Sequence, residues 1–233
     1  MAEYWWSARL AALALHPEVQ LPAVAPPGFA RLRPLIHKGW EMVLAALELS
    51  RPDLDLEACL VDYRGLLQAA LERWQLTPEQ LQGALEDRRH RALVQDRAAW
   101  LALHHPYPGV PERLARLAAE GSDWVVLTTK GRAFACELLA GHGLEPLAVF
   151  GHEQGTKPEV LLRLAQERPD ISLWFVEDRR PTLEQVRSTP GLEAVRCFLV
   201  SWGYLGPQDC QGLPQGILLL EPDRFAAPLA DWP

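Results

Sequence analysis

The chain has 233 residues, 48% of them hydrophobic and 23% charged, a balance typical of a soluble globular protein. Its formal net charge of −7 argues against a nucleic-acid partner, which needs a basic surface. No apolar run approaches the roughly 18 residues of a membrane span, and the N-terminus lacks the basic start of a signal peptide. Four scattered cysteines form no Cys-x-x-Cys pair. We therefore expect a cytoplasmic protein with reduced thiols and no membrane partner.

The first hundred residues predict helices only. Apolar residues recur at helical spacing over 3–16, 32–50, 55–74 and 77–102. Thr77-Pro78-Glu79-Gln80 is a typical helix start, with a threonine cap, proline at the first helical position and glutamine at the third. The pattern changes near residue 105. These features predict an all-helical domain over 1–105 and a second domain over 106–233.

The second domain alternates short apolar runs with helices. The runs are "WVVLTT" (124–129), "LAVFG" (147–151), "SLWFVE" (172–177), "VRCFLV" (195–200) and "GILLL" (216–220). Short apolar runs separated by helices predict an α/β domain with a parallel sheet that is covered on both faces. In such a sheet the loops after the strands gather at one edge, where ligands bind.

Residues able to carry chemistry follow three of these runs. They are Thr128 and Thr129, then Lys157, then Glu177 with Asp178. Singly, each has a structural explanation: a helix cap, a solvated lysine, or a carboxylate paired with a neighbouring arginine. Taken together, these residues are harder to explain by structure alone, because a cation at a helix start opposes the helix dipole and two adjacent carboxylates repel each other. A bound Mg²⁺ and a phosphoryl group would relieve both conflicts.

The same segments resemble motifs of the haloacid dehalogenase superfamily of hydrolases. "WVVLTTKGR", "GTKPEVLLRL" and "LWFVEDRRPTLEQV" are similar to the second, third and fourth motifs, in order and in spacing. "PYPGVPERLARLAAEG" resembles the hinge and first core helix of phosphoglycolate phosphatase-like members. The resemblance covers residues 106–200 specifically. It implies a Rossmann-like parallel-sheet core with a helical cap, and a Mg²⁺-dependent phosphatase that acts on a small phosphorylated metabolite through an aspartyl-phosphate.

The resemblance also implies roles for the five residues. Thr128 and Thr129 would bind the phosphate, and Lys157 would neutralise the nucleophile and the substrate. Asp178 would hold Mg²⁺, with Glu177 as a second candidate ligand at a position where many members have glycine.

The helical domain carries one candidate specificity segment, "FARLRPLIHKGWEM" (29–42). Arg31, Arg33 and Glu41 surround Trp40, and as part of a cap they would reach over the pocket and select the substrate. The alternative is an ordinary solvated helix face.

The nucleophile of the family is missing. It is the first aspartate of an Asp-x-Asp motif that ends the first, central strand, but no aspartate precedes Asp53 in this chain. Asp53-Leu54-Asp55 lies between helical segments, which favours a capping role. We therefore expect that the central strand is absent, that Met1 lies inside a longer reading frame, and that the chain as written is inactive. Two alternatives remain: a non-catalytic protein that binds a phosphorylated ligand or a partner, and dehalogenase or phosphonate chemistry on the same scaffold.

Overall fold

A computed structural model describes residues 1–233 as a mixed α/β protein. The chain divides into two compact units, Met1–His105 and Pro106–Pro233. None of the helices is both long enough and apolar enough to cross a lipid bilayer.

The first unit contains helices only, as predicted. They are α1 (Ala2–Leu15), α2 (Pro27–Leu32), α3 (Gly39–Leu49), α4 (Leu56–Val61), α5 (Tyr63–Trp74) and α6 (Pro78–Ala102). Helix α1 packs against α3 and α6. The largest fully buried apolar side chains of this core are Trp5, Phe29, Leu32, Leu44, Leu47, Leu81 and Leu85. Burial of these side chains stabilises the unit, since each contributes about 1.5–3 kcal/mol relative to an exposed side chain.

Three of the predicted helices are divided. In α6 the break is a kink at Asp96, whose backbone is non-helical at φ −155° and ψ 83°. The helix predicted over 32–50 is interrupted because a short 3₁₀ turn containing Pro34 follows α2, and α3 begins only at Gly39. The helix predicted over 55–74 is divided at Asp62, whose backbone is non-helical at φ −124° and ψ 72°. The Asp62 Oδ1 accepts the Gly65 N–H at 2.8 Å and so starts α5 afresh. Local side-chain caps here compete with continuation of the helix.

The second unit alternates helices and strands. It comprises α7 (Val110–Arg116), β1 (Val125–Leu127), α8 (Arg132–Gly141), β2 (Ala148–Phe150), α9 (Lys157–Glu167), β3 (Trp174–Glu177), α10 (Arg180–Ser188), β4 (Arg196–Val200), β5 (Ile217–Leu220) and α11 (Pro222–Ala226). All strand pairs are parallel. Instead of one continuous sheet, however, β1 pairs with β2 alone, and β3, β4 and β5 form a separate sheet in that order.

Strand β4 lies at the centre of the three-stranded sheet and is buried on both faces. Cys197 and Leu199 face an apolar cluster that includes Phe175, whereas Phe198 and Val200 face a second cluster. The second cluster also contains Leu220, Phe225 and Trp232. This double burial explains why the strand is apolar at consecutive positions rather than alternating.

Strands β1 and β3 each have one strand partner, and no other segment of the 233 residues pairs with their second edges. Nevertheless, Leu127 of β1 packs against the cluster that contains Phe175 of β3 and Leu161 of α9. The two sheets therefore share apolar packing within one compact unit but no ladder of hydrogen bonds.

Candidate functional site

Lys157 is fixed at the first position of α9 by a capping box. The Thr156 N–H donates to Glu159 Oε2 at 2.7 Å, while the Glu159 N–H approaches Thr156 Oγ1 at 3.5 Å. Pro158, which is buried, follows Lys157 in the first turn. Such a box specifies where the helix begins, so it also fixes the backbone position from which the Lys157 side chain extends. The sequence signal for this box is the Thr-x-x-Glu spacing of Thr156 and Glu159.

Lys157 and Glu177 form an ion pair at the end of β3. The Lys157 ammonium donates to Glu177 Oε2, and the two side chains are 18% and 6% exposed. The Lys157 Nζ also lies 5.9 Å from the centroid of the Phe175 ring. The cation at the helix start and the carboxylate at the strand end thus compensate each other in this structure, without a ligand.

Burial is the main influence on the Glu177 carboxyl, and it raises the pKa of Glu177. The positive charge of Lys157 opposes this rise, the negative charge of Asp178 adds to it, and Arg179 opposes it more weakly. A buried carboxylate with one hydrogen-bonding partner is costly, because a single contact replaces only part of its hydration.

Asp178 is held by the loop between β4 and β5. Its Oδ2 accepts the Tyr204 N–H at 3.3 Å, and Oδ1 makes no hydrogen bond. Gly203 packs directly on this side chain, since a Cβ at position 203 would lie 2.1 Å from the Asp178 Cβ. The Asp178 carboxylate is therefore positioned by backbone contacts and keeps one oxygen available.

Arg180 also forms hydrogen bonds with the loop between β4 and β5. Its guanidinium donates to the carbonyls of Gln211 at 2.7 Å, Gly212 at 3.1 Å and Gln208 at 3.4 Å, and to Glu184 at 2.8 Å. Arg180 is thus engaged by the loop rather than by Asp178. The sequence reading did not find this loop contact, because no periodic pattern connects positions so far apart.

Thr128 ends β1 and lies at the start of the loop to α8. Its N–H donates to the Phe150 carbonyl at 2.9 Å, and its Oγ1 accepts the Lys130 N–H at 3.1 Å. These contacts leave the hydroxyl hydrogen able to donate to a ligand. Thr129 is exposed in the same loop.

Glu153 is a residue at this edge that the sequence reading missed. Its Oε1 accepts the Arg132 N–H at 2.8 Å, at the start of α8. Desolvation raises the pKa of Glu153, but hydrogen bonds from its own N–H and that of Arg132 outweigh this effect, so the pKa is lowered overall. A negative charge is therefore stabilised at the start of α8.

The residues present can be tested against Mg²⁺. No group of three or more His, Cys, Asp or Glu side chains lies close enough together to hold a metal. Protein sites for Mg²⁺ often use one or two carboxylates and complete the octahedron with water and substrate phosphate. Asp178 fits this scheme through its available Oδ1. Glu177 offers its second oxygen, Oε1, since only Oε2 accepts from Lys157.

The two candidate arginines of the helical unit are engaged within that unit. Arg31 forms two hydrogen bonds with Glu57, at 2.6 and 2.9 Å. The Arg33 guanidinium lies 4.6 Å from the centroid of the Tyr4 ring, and its Nη1 donates to the Ile36 carbonyl at 3.4 Å. These contacts explain both arginines without a substrate, and their proposed role in specificity stays a prediction.

Glu41 is likewise bound inside the helical unit. It is 4% exposed, and its Oε2 accepts the His37 N–H at 2.7 Å and the Tyr63 hydroxyl at 3.1 Å. The contacts join the start of α3 to the start of α5. They favour a structural role for Glu41 over the predicted contact with substrate.

The Asp53-Leu54-Asp55 segment has the predicted capping role. Asp55 Oδ1 accepts the Ala58 N–H at 3.0 Å and caps α4, and Asp53 pairs with Arg51 at 2.8 Å. Neither aspartate lies on a strand. This segment therefore does not match the strand-end position that the resemblance implies for a nucleophile.

Comparison of the chain with protein-family models, with curated proteins and with solved structures finds no match in any of the three. The side chains at the ends of β1, β2 and β3 are therefore the basis for assigning a function.

Proposed function

We propose that residues 106–233 form the Rossmann-like, phosphate-binding core of a hydrolase of the haloacid dehalogenase type, and that residues 1–105 are its helical cap. The observation that carries this proposal is the buried pair of Lys157 and Glu177, which brings the start of α9 to the end of β3. A carboxyl whose pKa is shifted by burial and by a specific charged partner is a candidate for a functional site.

The ligand that this edge suits best is a small phosphorylated metabolite. Lys157 supplies a positive charge, and the Thr128 hydroxyl supplies a donor that no protein group accepts. Exposed Thr129 lies beside it. A phosphoryl group offers three acceptor oxygens, which matches one ammonium together with hydroxyl and backbone donors.

Mg²⁺ is part of the proposal through Asp178, whose carboxylate would hold the ion. When bound, the ion would neutralise charge on the phosphoryl oxygens. The chain's own contribution is orientation: the Tyr204 N–H and the close approach of Gly203 keep the Asp178 carboxylate in place.

Hydrolysis requires a nucleophilic carboxylate besides the one assigned to the metal. At this edge Glu153 is bound to the start of α8 and Glu177 is bound to Lys157. We therefore propose that turnover depends on an aspartate from a further strand, paired with the second edges of β1 and β3. The same observation favours a second candidate function, non-catalytic binding of a phosphorylated ligand. Dehalogenase or phosphonate chemistry would use the same edge, and no contact favours it.

One experiment tests these candidates together. The 233-residue protein and a form extended by residues encoded upstream in the same frame are assayed with a generic phosphomonoester and Mg²⁺. We expect the 233-residue protein to bind inorganic phosphate without turnover, and Lys157→Gln to weaken that binding. Turnover in the extended form alone supports the hydrolase. A folded extended form that binds phosphate without turnover supports the binding protein, and failure of both forms to bind phosphate rejects the assignment.

A further inference from the structure

Residues 201–216 connect β4 to β5, two neighbouring parallel strands, through a loop that contains no helix. A connection between parallel neighbours usually includes a helix, and long loops without secondary structure are usually functional or disordered. This loop has internal hydrogen bonds. The Gly206 N–H donates to Asp209 Oδ2 at 2.6 Å, and the Gln211 N–H donates to the Gln208 carbonyl at 3.0 Å. Two successive turns therefore make the middle of the loop compact.

Arg180 fastens this part of the loop to the start of α10. Its guanidinium donates to three backbone carbonyls, those of Gln208, Gln211 and Gly212. Glu184, one turn further along α10, accepts from Arg180 Nε at 2.8 Å and orients the guanidinium. The planar fork of an arginine can reach several acceptors at once, whereas a lysine ammonium is a point charge on a flexible stem. Arg180 therefore determines where the middle of the loop lies.

The first part of the same loop holds Asp178. The Tyr204 N–H donates to Asp178 Oδ2 at 3.3 Å, and Gly203 lies against the Asp178 Cβ. Leu205, which follows these contacts, packs against the apolar cluster on one face of β4. The loop thus links the Arg180 guanidinium to the Asp178 carboxylate, although the two side chains make no hydrogen bond with each other.

We propose that Arg180 is a positioning residue, which orients the Asp178 carboxylate through the β4–β5 loop and so supports its binding of a divalent cation. This role rests on the proposed function, in which Asp178 holds Mg²⁺. Charge and position predict opposite effects. Arg180 is a cation two residues from Asp178, so by charge alone its removal would strengthen the binding of Mg²⁺. By position its removal weakens the binding, because the carboxylate is no longer held in one orientation.

The test is a titration of the 233-residue protein with Mg²⁺ alone, followed by the NMR amide signals of Gly203 and Tyr204. We expect Arg180→Ala to weaken Mg²⁺ binding by about tenfold, the lower end of the usual loss when a group that orients a metal ligand is removed. Arg180→Lys keeps the charge but not the planar fork, so we expect it to weaken binding in the same direction.

Arg187→Ala is the matched control. Arg187 lies on the same helix, and its guanidinium also donates to backbone carbonyls, those of Glu193 and Val195. Both carbonyls precede β4, and Arg187 meets the β4–β5 loop only at Gly216, its last residue. The control removes the same charge and similar backbone contacts at a distance from Asp178. It should therefore lower stability without weakening Mg²⁺ binding.

Hydrogen exchange at the Tyr204 amide provides a second measurement, which needs no cation. In Arg180→Ala the Tyr204 N–H should exchange several-fold faster than in the natural protein, because the loop is released. In Arg187→Ala it should exchange at the natural rate. Thermal unfolding reports whether each variant remains folded, and Arg180→Lys replaces Arg180→Ala in both measurements where the alanine variant does not fold.

The outcomes separate this inference from the proposed function. Tighter Mg²⁺ binding in Arg180→Ala, or unchanged binding in Arg180→Lys, overturns the positioning role, because charge alone would then explain the effect. Equal weakening in Arg180→Ala and Arg187→Ala overturns it as well, since the loss would reflect stability. Absence of Mg²⁺ binding in every form overturns the cation role proposed for Asp178. Exchange at Tyr204 then decides the positioning role, and the natural rate in Arg180→Ala overturns it.

Discussion

Glu48 in the helical unit and Glu177 at the sheet edge are both buried carboxylates, with side chains 1% and 6% exposed, but they differ in their partners. Glu48 accepts hydrogen bonds from Arg73, Arg51 and the Trp74 indole at 2.7–2.8 Å. Glu177 accepts one hydrogen bond, from a single ammonium group.

This difference separates a structural carboxylate from an exchangeable one. Both oxygens of Glu48 have donors, and these donors join α3 to α5, so a ligand could bind only by displacing them. Glu3 belongs to the same class, since Arg89 and Ser7 both donate to it in the buried core. A carboxylate with one partner, at the end of a strand, can change that partner while the fold persists.

The largest expected effect is the loss of Glu48. Glu48→Ala leaves the Arg73 guanidinium and the Trp74 N–H without their acceptor, and we expect it to lower the free energy of unfolding by about 3 kcal/mol. Urea denaturation followed by circular dichroism measures this. Glu57→Ala, which removes an exposed partner of Arg31, is the control and should cost much less. Equal losses in the two variants would remove the distinction between the two kinds of carboxylate.

Gly203→Ala tests whether the sheet edge is packed as tightly as the helical core. The new methyl group would overlap the Asp178 Cβ, so the loop or β3 must shift, at a cost of about 2 kcal/mol. Gly206→Ala in the same loop is the matched control, because its Cβ would meet only Asp209 Oδ2, at 3.3 Å. Urea denaturation of both variants measures the effect. A Gly203→Ala protein as stable as Gly206→Ala would mean that the loop is loosely held and does not position Asp178.

The elements of this molecule were predictable where the signal is local. The capping box at Thr77 is formed as predicted, with Gln80 Oε1 accepting the Thr77 N–H at 2.8 Å. All five strands lie within the predicted apolar runs. Helix breaks at Pro34, Asp62 and Asp96 were missed, because apolar spacing continues across these positions while the backbone does not.

The site was only partly predictable, because its contacts are long-range. Strand ends identified Thr128, Lys157 and Asp178 as candidates, since parallel strands bring their loops to a common edge. Sequence spacing carries no information on whether Lys157 meets Glu177 or a ligand, or on the Gly203 contact with Asp178. The division into two sheets, in which β1 pairs only with β2, is a long-range pairing that sequence spacing does not specify.

Two N-cap variants, one in each unit, should lower the free energy of unfolding by the same amount and can therefore be compared directly. Thr77 caps α6 in the helical unit and Thr156 caps α9, which carries Lys157. Each substitution by alanine should lower the free energy of unfolding by about 1 kcal/mol, the usual value of an N-cap. Only Thr156→Ala should also weaken the binding of inorganic phosphate, measured by calorimetry, because it loosens the start of α9. Equal phosphate affinities in the two variants would show that the α9 cap does not position Lys157.

We expect the smallest change in the pH dependence of stability that is due to Glu177. This change compares a buried carboxylate directly with an exposed one. Burial raises the pKa of Glu177 in the folded protein, so the folded state holds this proton more tightly than the unfolded state does. The contribution of Glu177 to stability is therefore complete below the ordinary carboxyl pKa of 4.5 and is lost as the pH rises through the higher folded value. Glu177→Gln cannot titrate, so its stability relative to the natural protein should increase from about pH 5 upward. Glu193→Gln should show the opposite slope, because hydrogen bonds from the Gly191 N–H and its own N–H lower the pKa of Glu193. The slope due to Glu193 lies below its ordinary carboxyl pKa of 4.5, and the slope due to Glu177 lies above that value. Urea denaturation of the three proteins from about pH 3 to about pH 8 therefore measures both slopes. Parallel curves for the two variants would mean that Glu177 is as well solvated as an exposed carboxylate.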